Sequence, residues 1–138
     1  VRPNGSVHDL NLLMQQVLDS CGDQPEVNLQ DTAVSVVITW GRWGTTKPNR
    51  SVRLGSYDPR SRLIRIHPIM DQPEVPAWVV RFVIFHELLH HWIPSRRRGN
   101  RVVHHSQEFR SREATHPDYQ RYQRWIQDQL PSLMWSRS

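Results

Sequence analysis

Apolar residues recur at helical spacing near the start of the chain. They fall every three or four positions, so that one face of a helix carries all of them: Val7, Leu10, Leu13, Met14, Val17 and Leu18. Ser6 and Asp9 resemble a capping box, and Gly22 offers a stop. The pattern therefore predicts an amphipathic helix over residues 6–20, followed by a loop over residues 23–31.

Three short segments further on have the composition and alternation of β-strands. Residues 33–40, AVSVVITW, are rich in β-branched side chains, and residues 51–57 and 62–68 alternate apolar with polar positions. A tight turn at residues 58–61 joins the last two. These short links predict a small three-stranded sheet, an antiparallel or mixed meander in which antiparallel pairing dominates.

The most apolar stretch of the chain follows a proline-containing link. Residues 77–93, AWVVRFVIFHELLHHWI, are apolar on almost every side, which is typical of a helix buried in the middle of a domain. Pro94 and an arginine-rich loop end this helix. Two further helices are expected, over residues 106–114 and 117–130, with Pro131 closing the last one.

Length and composition indicate the class of protein. The 138 residues suffice for one domain with a real core, and 37% hydrophobic with 22% charged residues is typical of a globular chain. We therefore expect a single domain over residues 1–138. Cys21 is the only cysteine, so neither an internal disulfide nor a cysteine zinc site can form.

The start of the chain and its net charge bear on location and partners. No signal-peptide pattern opens the chain, and the longest apolar stretch is broken by Arg81 and too short to span a bilayer. We expect a cytoplasmic monomer with no membrane attachment. The net charge of +5 favours an acidic partner, nucleic acid being the commonest, although a solvated arginine-rich surface would also explain it.

One motif within the apolar helix carries recognisable chemistry. His86-Glu87-Leu88-Leu89-His90 is an HExxH motif, and residues four apart lie one turn above each other on the same helix face. Two imidazoles so placed reach one Zn²⁺, while Glu87 is placed to accept the proton of a zinc-bound water. The motif also occurs by chance. Its position in the most apolar helix favours metal binding, because buried histidines and a glutamate without partners are costly.

A catalytic zinc usually has three protein ligands, so a third residue is required. His105 lies fifteen residues after His90, which is enough for a loop and a return. His104, Glu108 and Glu113 are alternatives, the last two as carboxylate ligands on the following helix. The spacing by itself does not choose among these four residues.

A longer stretch of the sequence resembles the SprT-like family, which includes the Spartan DNA–protein crosslink proteases. HELLH is followed by a basic loop and by HSQEF at residues 105–109, similar to the family pattern H-[GS]-x-x-F. HPDY at residues 116–119 resembles a downstream family element, and the strand region before the HExxH helix resembles that of bacterial members. The likeness spans roughly residues 33–125.

The resemblance implies an α+β fold of the zincin-like, minimal metallopeptidase type, with an N-terminal helix, a small three-stranded sheet, a buried HExxH helix and C-terminal helices. It also implies that His86, His90 and His105 bind one zinc ion and that Glu87 is the general base of peptide hydrolysis. Many relatives carry a C-terminal zinc ribbon, for which this chain lacks the cysteines.

Residues around the motif are candidates for contacts with a substrate or with nucleic acid. Residues 51–57 would offer a sheet edge to an extended peptide. Trp43, near Lys47 and Arg50, would add stacking to a nucleic-acid surface. The loop before the third histidine is a solvated loop, a phosphate-contacting rim that binds DNA, or a selector for acidic side chains. It contains four arginines: Arg96, Arg97, Arg98 and Arg101.

These patterns lead to three hypotheses of function. The first is a zinc-dependent metalloendopeptidase that hydrolyses a protein or peptide substrate with Glu87 as general base. The second is a DNA-associated protease of the same chemistry, and the third is a non-catalytic binding module stabilised by metal. Glu87 favours an enzyme, since a purely structural zinc site has no use for a base. Three downstream residues are candidate stabilisers of the transition state: His116, Tyr119 and Tyr122.

Overall fold

The computed structural model describes residues 1–21, 29–42 and 53–135. Its elements, in chain order, are α1 (Leu10–Ser20), α2 (Leu29–Ser35), β1 (Val37–Trp40), β2 (Gly55–Asp58), β3 (Leu63–Ile66), a 3₁₀ turn (Pro68–Met70), α3 (Ala77–Trp92), β4 (Arg96–Arg98), β5 (Arg101–Val103), α4 (Gln107–Ala114) and α5 (Tyr119–Trp135). The fold thus combines helices with one three-stranded sheet and a separate two-stranded hairpin. None of the helices in these ranges is long and apolar enough to cross a membrane.

The three-stranded sheet is mixed, so the expectation of mainly antiparallel pairing is wrong. Its order is β1-β3-β2, with β1 parallel to β3 and β2 antiparallel to β3. β3 suits the centre because Ile64 and Ile66 are fully buried. Alternation along a sequence identifies the inward face of a strand but not its neighbour, which is why the parallel pairing was missed.

The predicted strand over residues 33–40 is divided between two elements. The pairing of β1 with β3 starts only at Val37, opposite Leu63, and the residues before it belong to α2 and the link that follows. Thr32 accepts a hydrogen bond from Trp92 Nε1 at 2.9 Å, which fixes α2 to α3. The β-branched run therefore forms strand only where it meets the sheet, because its strand preference depends on packing context.

α1 begins later than the pattern predicts. Its N-cap is Asp9, whose carboxylate accepts hydrogen bonds from the backbone N–H groups of Asn11 and Leu12. Ser6 does not cap the helix, since its backbone N–H donates to Asp71 Oδ2 at 2.7 Å. The first turn of the predicted helix is therefore replaced by an N-terminal segment that Asp71 holds.

α3 lies at the centre of the core, and its observed bounds match the predicted helix to within one residue. It contacts α1, strands β2 and β3, and both C-terminal helices. Glu87 is buried on the same helix, so α3 brings a carboxylate into the core. The other buried side chains of α3 are all apolar: Val79, Val80, Phe82, Val83, Ile84, Phe85, Leu88 and Leu89.

The arginine-rich segment after α3 is a hairpin, not the predicted loop. β4 and β5 pair in antiparallel fashion, with Arg96 opposite Val103 and Arg98 opposite Arg101. The turn contains Gly99, whose φ of 61° is in the left-handed region that glycine adopts without strain. A glycine in this position lets a two-residue turn connect the strands.

α5 continues past the proline that was expected to close it. Pro131 removes the hydrogen bond to the carbonyl of Gln127, but both residues are exposed, so water can satisfy that carbonyl. Leu133, in the next turn, is buried in the core. The burial of this last turn outweighs the helix-breaking effect of the proline.

Candidate metal centre

Three histidines converge between α3 and the start of α4. His86 and His90 lie one turn apart on α3, and His105 lies in the short link between β5 and α4. Their candidate ligand atoms all lie within 4.8 Å of one another, and His90 Nε2 is 3.2 Å from His105 Nε2. The structure thus brings together the three residues that the family resemblance proposes as metal ligands.

Phe109 explains how His105 comes to lie beside α3. The Phe109 ring is fully buried, and its centroid lies 5.1, 4.5 and 5.0 Å from those of His86, His90 and His105, respectively. The Ser106 hydroxyl caps α4 by accepting a hydrogen bond from the Phe109 backbone N–H at 3.2 Å. The cap and the buried ring together fix the start of α4 against α3.

Glu113 is a partner of the histidine group that the sequence suggested only as a rival ligand. Its Oε2 atom forms a hydrogen bond with His86 Nδ1, and its side chain is largely buried. Because Nδ1 is engaged, Nε2 is the nitrogen of His86 that remains for an ion. The available signal was the spacing of Phe109 and Glu113, which are four apart and share one face of α4.

The two other rival ligands lie outside the histidine group. His104 Nδ1 forms a hydrogen bond with Ser95 Oγ at 2.7 Å, and the Glu108 carboxylate pairs with Arg96 at 3.2 Å. Both pairs are exposed to solvent. Neither residue therefore contributes to the group of three histidines.

Burial favours the neutral form of two of the three imidazoles. Burial, followed by the nearby His86, lowers the pKa of His90 to about 4, and the same two causes lower the pKa of His105. Burial also opposes the charge on His86, but Glu113 and Glu87 outweigh it and raise the pKa of that residue. Since a neutral imidazole has a lone pair, His90 and His105 can act as ligands at neutral pH.

Glu87 is a buried carboxylate with an unpaired oxygen. The side chain is packed inside the protein, with the residue only 4% exposed, and its Oε1 atom has no hydrogen-bond partner in the described ranges. Burial raises the pKa of this carboxyl group, although His86 and Arg53 act in the opposite direction. Gly55 leaves room for it, because a Cβ there would lie 2.8 Å from Glu87 Oε2. An unpaired buried oxygen is costly unless a ligand or solvent uses it.

A cavity of ≈ 340 Å³ lies over these groups and is also bordered by Tyr122. The Tyr122 ring stacks on Phe82, with centroids 4.2 Å apart. Burial raises the pKa of Tyr122, and the charges of Glu113 and Glu87 raise it further. The phenol, which is protonated at neutral pH even at its ordinary pKa, is thus a hydrogen-bond donor in the lining of the cavity.

The other two candidate transition-state stabilisers lie away from this cavity. The ring of His116 packs against Phe82 and Phe85, at centroid distances of 5.1 and 4.6 Å, and borders a different cavity. Tyr119 is half-buried, with its ring 6.3 Å from that of Phe82. Of the three candidates, only Tyr122 borders the cavity over the histidines.

The predicted edge strand borders the cavity with its first residues. β2 starts at Gly55, whereas residues 51–52 of the prediction lie outside the described residues. The carbonyl of Leu54 accepts a hydrogen bond from His67 N at 2.8 Å. Because facing groups alternate in an antiparallel pair, the backbone groups of Gly55 and Tyr57 point away from β3, to an edge that no other described strand occupies.

The four arginines of the β4–β5 hairpin face solvent, and none of them borders the cavity as the described residues define it. They are the residues proposed to contact substrate or nucleic acid: Arg96, Arg97, Arg98 and Arg101. Trp43, Lys47 and Arg50, the suggested stacking surface, lie outside the described residues.

Comparison with known proteins provides no family assignment, because no protein-family model and no curated protein match the chain. The chemistry of the donor atoms fits zinc: three imidazole nitrogens converge, as in zinc sites that use histidine, and a buried carboxylate oxygen nearby lacks a partner within the described part of the chain.

Proposed function

We propose that the protein is a zinc-dependent metalloendopeptidase. The main support is Glu87, a buried carboxylate on the same helix as two of the three converging imidazoles, with one oxygen that no described residue pairs with. Structural zinc sites usually have four protein ligands, whereas catalytic sites keep one position open. The group comprises three histidines, and the described residues add no fourth ligand to it, which favours a catalytic site.

His86, His90 and His105 would hold the ion, with Glu113 fixing the ring of His86 through Nδ1. When bound, zinc supplies a Lewis acid that polarises a carbonyl oxygen and lowers the pKa of water from ~15.7 toward ~7. A carboxylate behind a ligand histidine sets its tautomer and ring orientation. Glu113 is therefore proposed as a positioning residue.

Glu87 would act as the general base. Its free oxygen accepts a proton from a water molecule whose oxygen forms a bond to the carbonyl carbon of the scissile peptide. The same proton then passes to the amide nitrogen as the C–N bond breaks, so that an amine and a carboxylic acid result. The raised pKa of Glu87, caused by burial, suits a group that must both accept and return a proton.

Tyr122 would stabilise the negative charge that develops on the carbonyl oxygen. It borders the same cavity as Glu87, and its hydroxyl is protonated at neutral pH. A preformed hydrogen-bond donor aimed at the developing oxyanion is a common source of catalytic power.

The free edge of β2 would bind the substrate as an added strand. Gly55 borders the cavity, and its backbone groups point away from β3. An extended peptide paired with this edge would pass over the Glu87 carboxylate, which lies directly beneath Gly55. The absence of a side chain at Gly55 leaves room for that carboxylate beside the strand.

Membership of the SprT-like family would account for the same arrangement. The two segments that carry the resemblance, HELLH and HSQEF, also contribute the three histidines of the group. The family resemblance and the site chemistry therefore support one proposal.

Replacement of the base tests the proposal. The Glu87→Gln variant, loaded with zinc, should cleave an unfolded protein about 10²–10⁴-fold more slowly than the wild type, because the proton acceptor is lost. Zinc content, measured by atomic absorption, should remain one ion per chain in both proteins.

Equal cleavage by the wild type and the variant would exclude the proposed endopeptidase function. If the variant kept its zinc and neither protein cleaved any substrate, the non-catalytic module would be favoured instead. An Arg65→Gln variant provides a control, since Arg65 is exposed on β3 and lies outside the cavity.

A further inference from the structure

One arginine that borders the cavity has no ionic partner among the described residues. Arg53 immediately precedes Leu54 and β2, is exposed, and borders the cavity together with Glu87 and His90. Within residues 1–21, 29–42 and 53–135, no carboxylate forms an ion pair with it. A guanidinium that no described carboxylate pairs with, next to a site for polypeptides, favours the binding of an anionic group of matching shape.

One hydrogen bond to the following strand orients the side chain of Arg53. Its Nε–H donates to the carbonyl oxygen of Gly55 at 3.2 Å. That carbonyl points to the free edge of β2, because the carbonyl of Leu54 is turned toward β3. The side chain of Arg53 therefore lies along the edge where an added strand would pair.

The charge of Arg53 also acts on the residues inside the cavity. It acts against the burial that raises the pKa of Glu87, and it makes a small contribution to the lowered pKa of His90. The guanidinium is thus close enough for its field to be felt where the peptide bond would be cleaved.

We propose that Arg53 selects peptide substrates that carry an Asp or Glu side chain within two residues of the scissile bond. This inference rests on the proposed endopeptidase function and names its substrate class. When a peptide strand pairs with β2, its N–H takes the Gly55 carbonyl, and the guanidinium of Arg53 turns to the carboxylate of the substrate. The planar guanidinium matches a carboxylate through two parallel hydrogen bonds.

A peptide carboxylate fits this position better than a nucleic-acid phosphate does. Glu87 and Glu113 line the same cavity, and both would repel a backbone that carries a charge at every nucleotide more strongly than they repel a single carboxylate bound to Arg53. The outward backbone groups of Gly55 and Tyr57 match the N–H and C=O groups along the backbone of an extended peptide, whereas a nucleic-acid backbone carries no such groups.

Cleavage-site profiling tests the selection. Zinc-loaded full-length protein would be incubated with a mixed peptide library, and new termini would be identified by mass spectrometry. We expect Asp and Glu to be enriched about fivefold within two residues of the cleaved bonds, the magnitude of a charge-assisted contact at an exposed site. Arg53→Gln should remove this enrichment, and Arg53→Glu should replace it with enrichment of Lys and Arg.

The matched control is Arg65→Gln, which removes the same charge from the outward face of β3 and should retain the wild-type profile. A wild-type profile without acidic enrichment would overturn the proposal. So would acidic enrichment that survives Arg53→Glu. Either result would leave the endopeptidase function intact, since cleavage itself would still be observed.

A binding measurement decides the role of Arg53 without any cleavage. In the Glu87→Gln background, a fluorescent peptide with a central Asp should bind about fivefold more tightly than its Asn counterpart. The ratio should fall to one in the Glu87→Gln/Arg53→Gln double variant. Equal peptide affinities, with Arg53→Gln weakening only a single-stranded oligonucleotide, would assign Arg53 to nucleic acid and overturn the proposal. This ratio remains decisive even if the proposed hydrolysis fails its own test.

Discussion

Two carboxylates of this protein have opposite surroundings. The Asp71 carboxylate accepts three backbone hydrogen bonds, from the N–H groups of Ser6, Val7 and His8 at 2.7, 2.8 and 3.0 Å. Glu87 is more deeply buried, yet its Oε1 atom has no partner in the described part of the chain. The Asp71 carboxylate is thus bonded by three donors, whereas one oxygen of the Glu87 carboxylate has no partner among the described residues.

The pKa values of the two groups follow from these surroundings. Burial would raise the pKa of Asp71, but the three backbone donors outweigh it and hold the pKa below the ordinary value. For Glu87, burial dominates and raises the pKa. The comparison shows that a carboxylate that accepts hydrogen bonds from a distant chain segment has a lowered pKa and stays charged to lower pH. A buried carboxylate with few hydrogen-bond donors has a raised pKa and takes up a proton more readily.

Glu113 is intermediate between Asp71 and Glu87 in its surroundings. Apart from the loss of catalysis, its replacement is expected to have the largest effect. This residue is in the site, like Glu87, but has a partner, like Asp71, in the Nδ1 atom of His86. Glu113→Gln should weaken zinc binding about 10–100-fold, because a charged acceptor behind the ligand is lost. Competition with a chromophoric chelator measures this change.

The control for Glu113 is Glu108→Gln on the same helix, whose carboxylate is exposed and pairs with Arg96. It should leave the zinc affinity at the wild-type value. Equal affinities for both variants and the wild type would show that Glu113 does not position His86, and the contrast among the carboxylates would then reduce to burial alone.

The parts of the site that lie within one helix were predictable from the sequence, whereas those that depend on docking were not. His86 and His90 follow from a five-residue motif, because helix geometry fixes their separation. The pairing of Glu113 with His86 also depends on how α4 packs against α3, because the spacing of Phe109 and Glu113 places both on one face of α4 but does not show what that face contacts. His105 was one of four alternatives until the family resemblance and then the buried ring of Phe109 distinguished it.

The same distinction applies to the fold. α3 was predicted almost to its ends, since its apolar residues cover nearly the whole helix surface. The parallel pairing of β1 with β3, and the helical state of residues 33–35, depend on contacts between distant segments. Asp71 shows this most plainly, because it holds residues more than sixty positions away and no local pattern marks it.

Removal of Asp71 should have an intermediate effect, on stability and not on chemistry. Asp71→Ala should lower the free energy of unfolding at pH 7 by about 1–2 kcal/mol, because three hydrogen bonds to a charged acceptor are lost at a partly exposed site. Urea denaturation measures this loss. Asp19→Ala, in which an exposed carboxylate bonded to the Gln15 side chain is removed, is the control and should change little.

The pH dependence of the Asp71 effect has a definite sign. Because the folded-state pKa lies below the ordinary value of 3.8, the stabilisation is fully present above that value. It should disappear as the pH falls through the folded-state pKa, so that wild type and Asp71→Ala converge in strong acid. A difference between the two proteins that stays constant down to the lowest pH would mean that the charge of Asp71 is not what holds the N-terminal segment.

The smallest effect is expected for the free energy of unfolding of the Glu87→Gln variant. The sign of this change distinguishes Glu87 from Asp71 most clearly. Measured in zinc-free protein at pH 7, the substitution should change the free energy of unfolding by no more than about 0.5 kcal/mol, or increase it slightly, because it removes a buried charge that lacks a full set of donors. The amide has nearly the same shape, so the close approach to Gly55 is retained. A loss as large as that of Asp71→Ala would mean that Glu87 is itself a structural anchor, and its assignment as a proton acceptor would lose its physical basis.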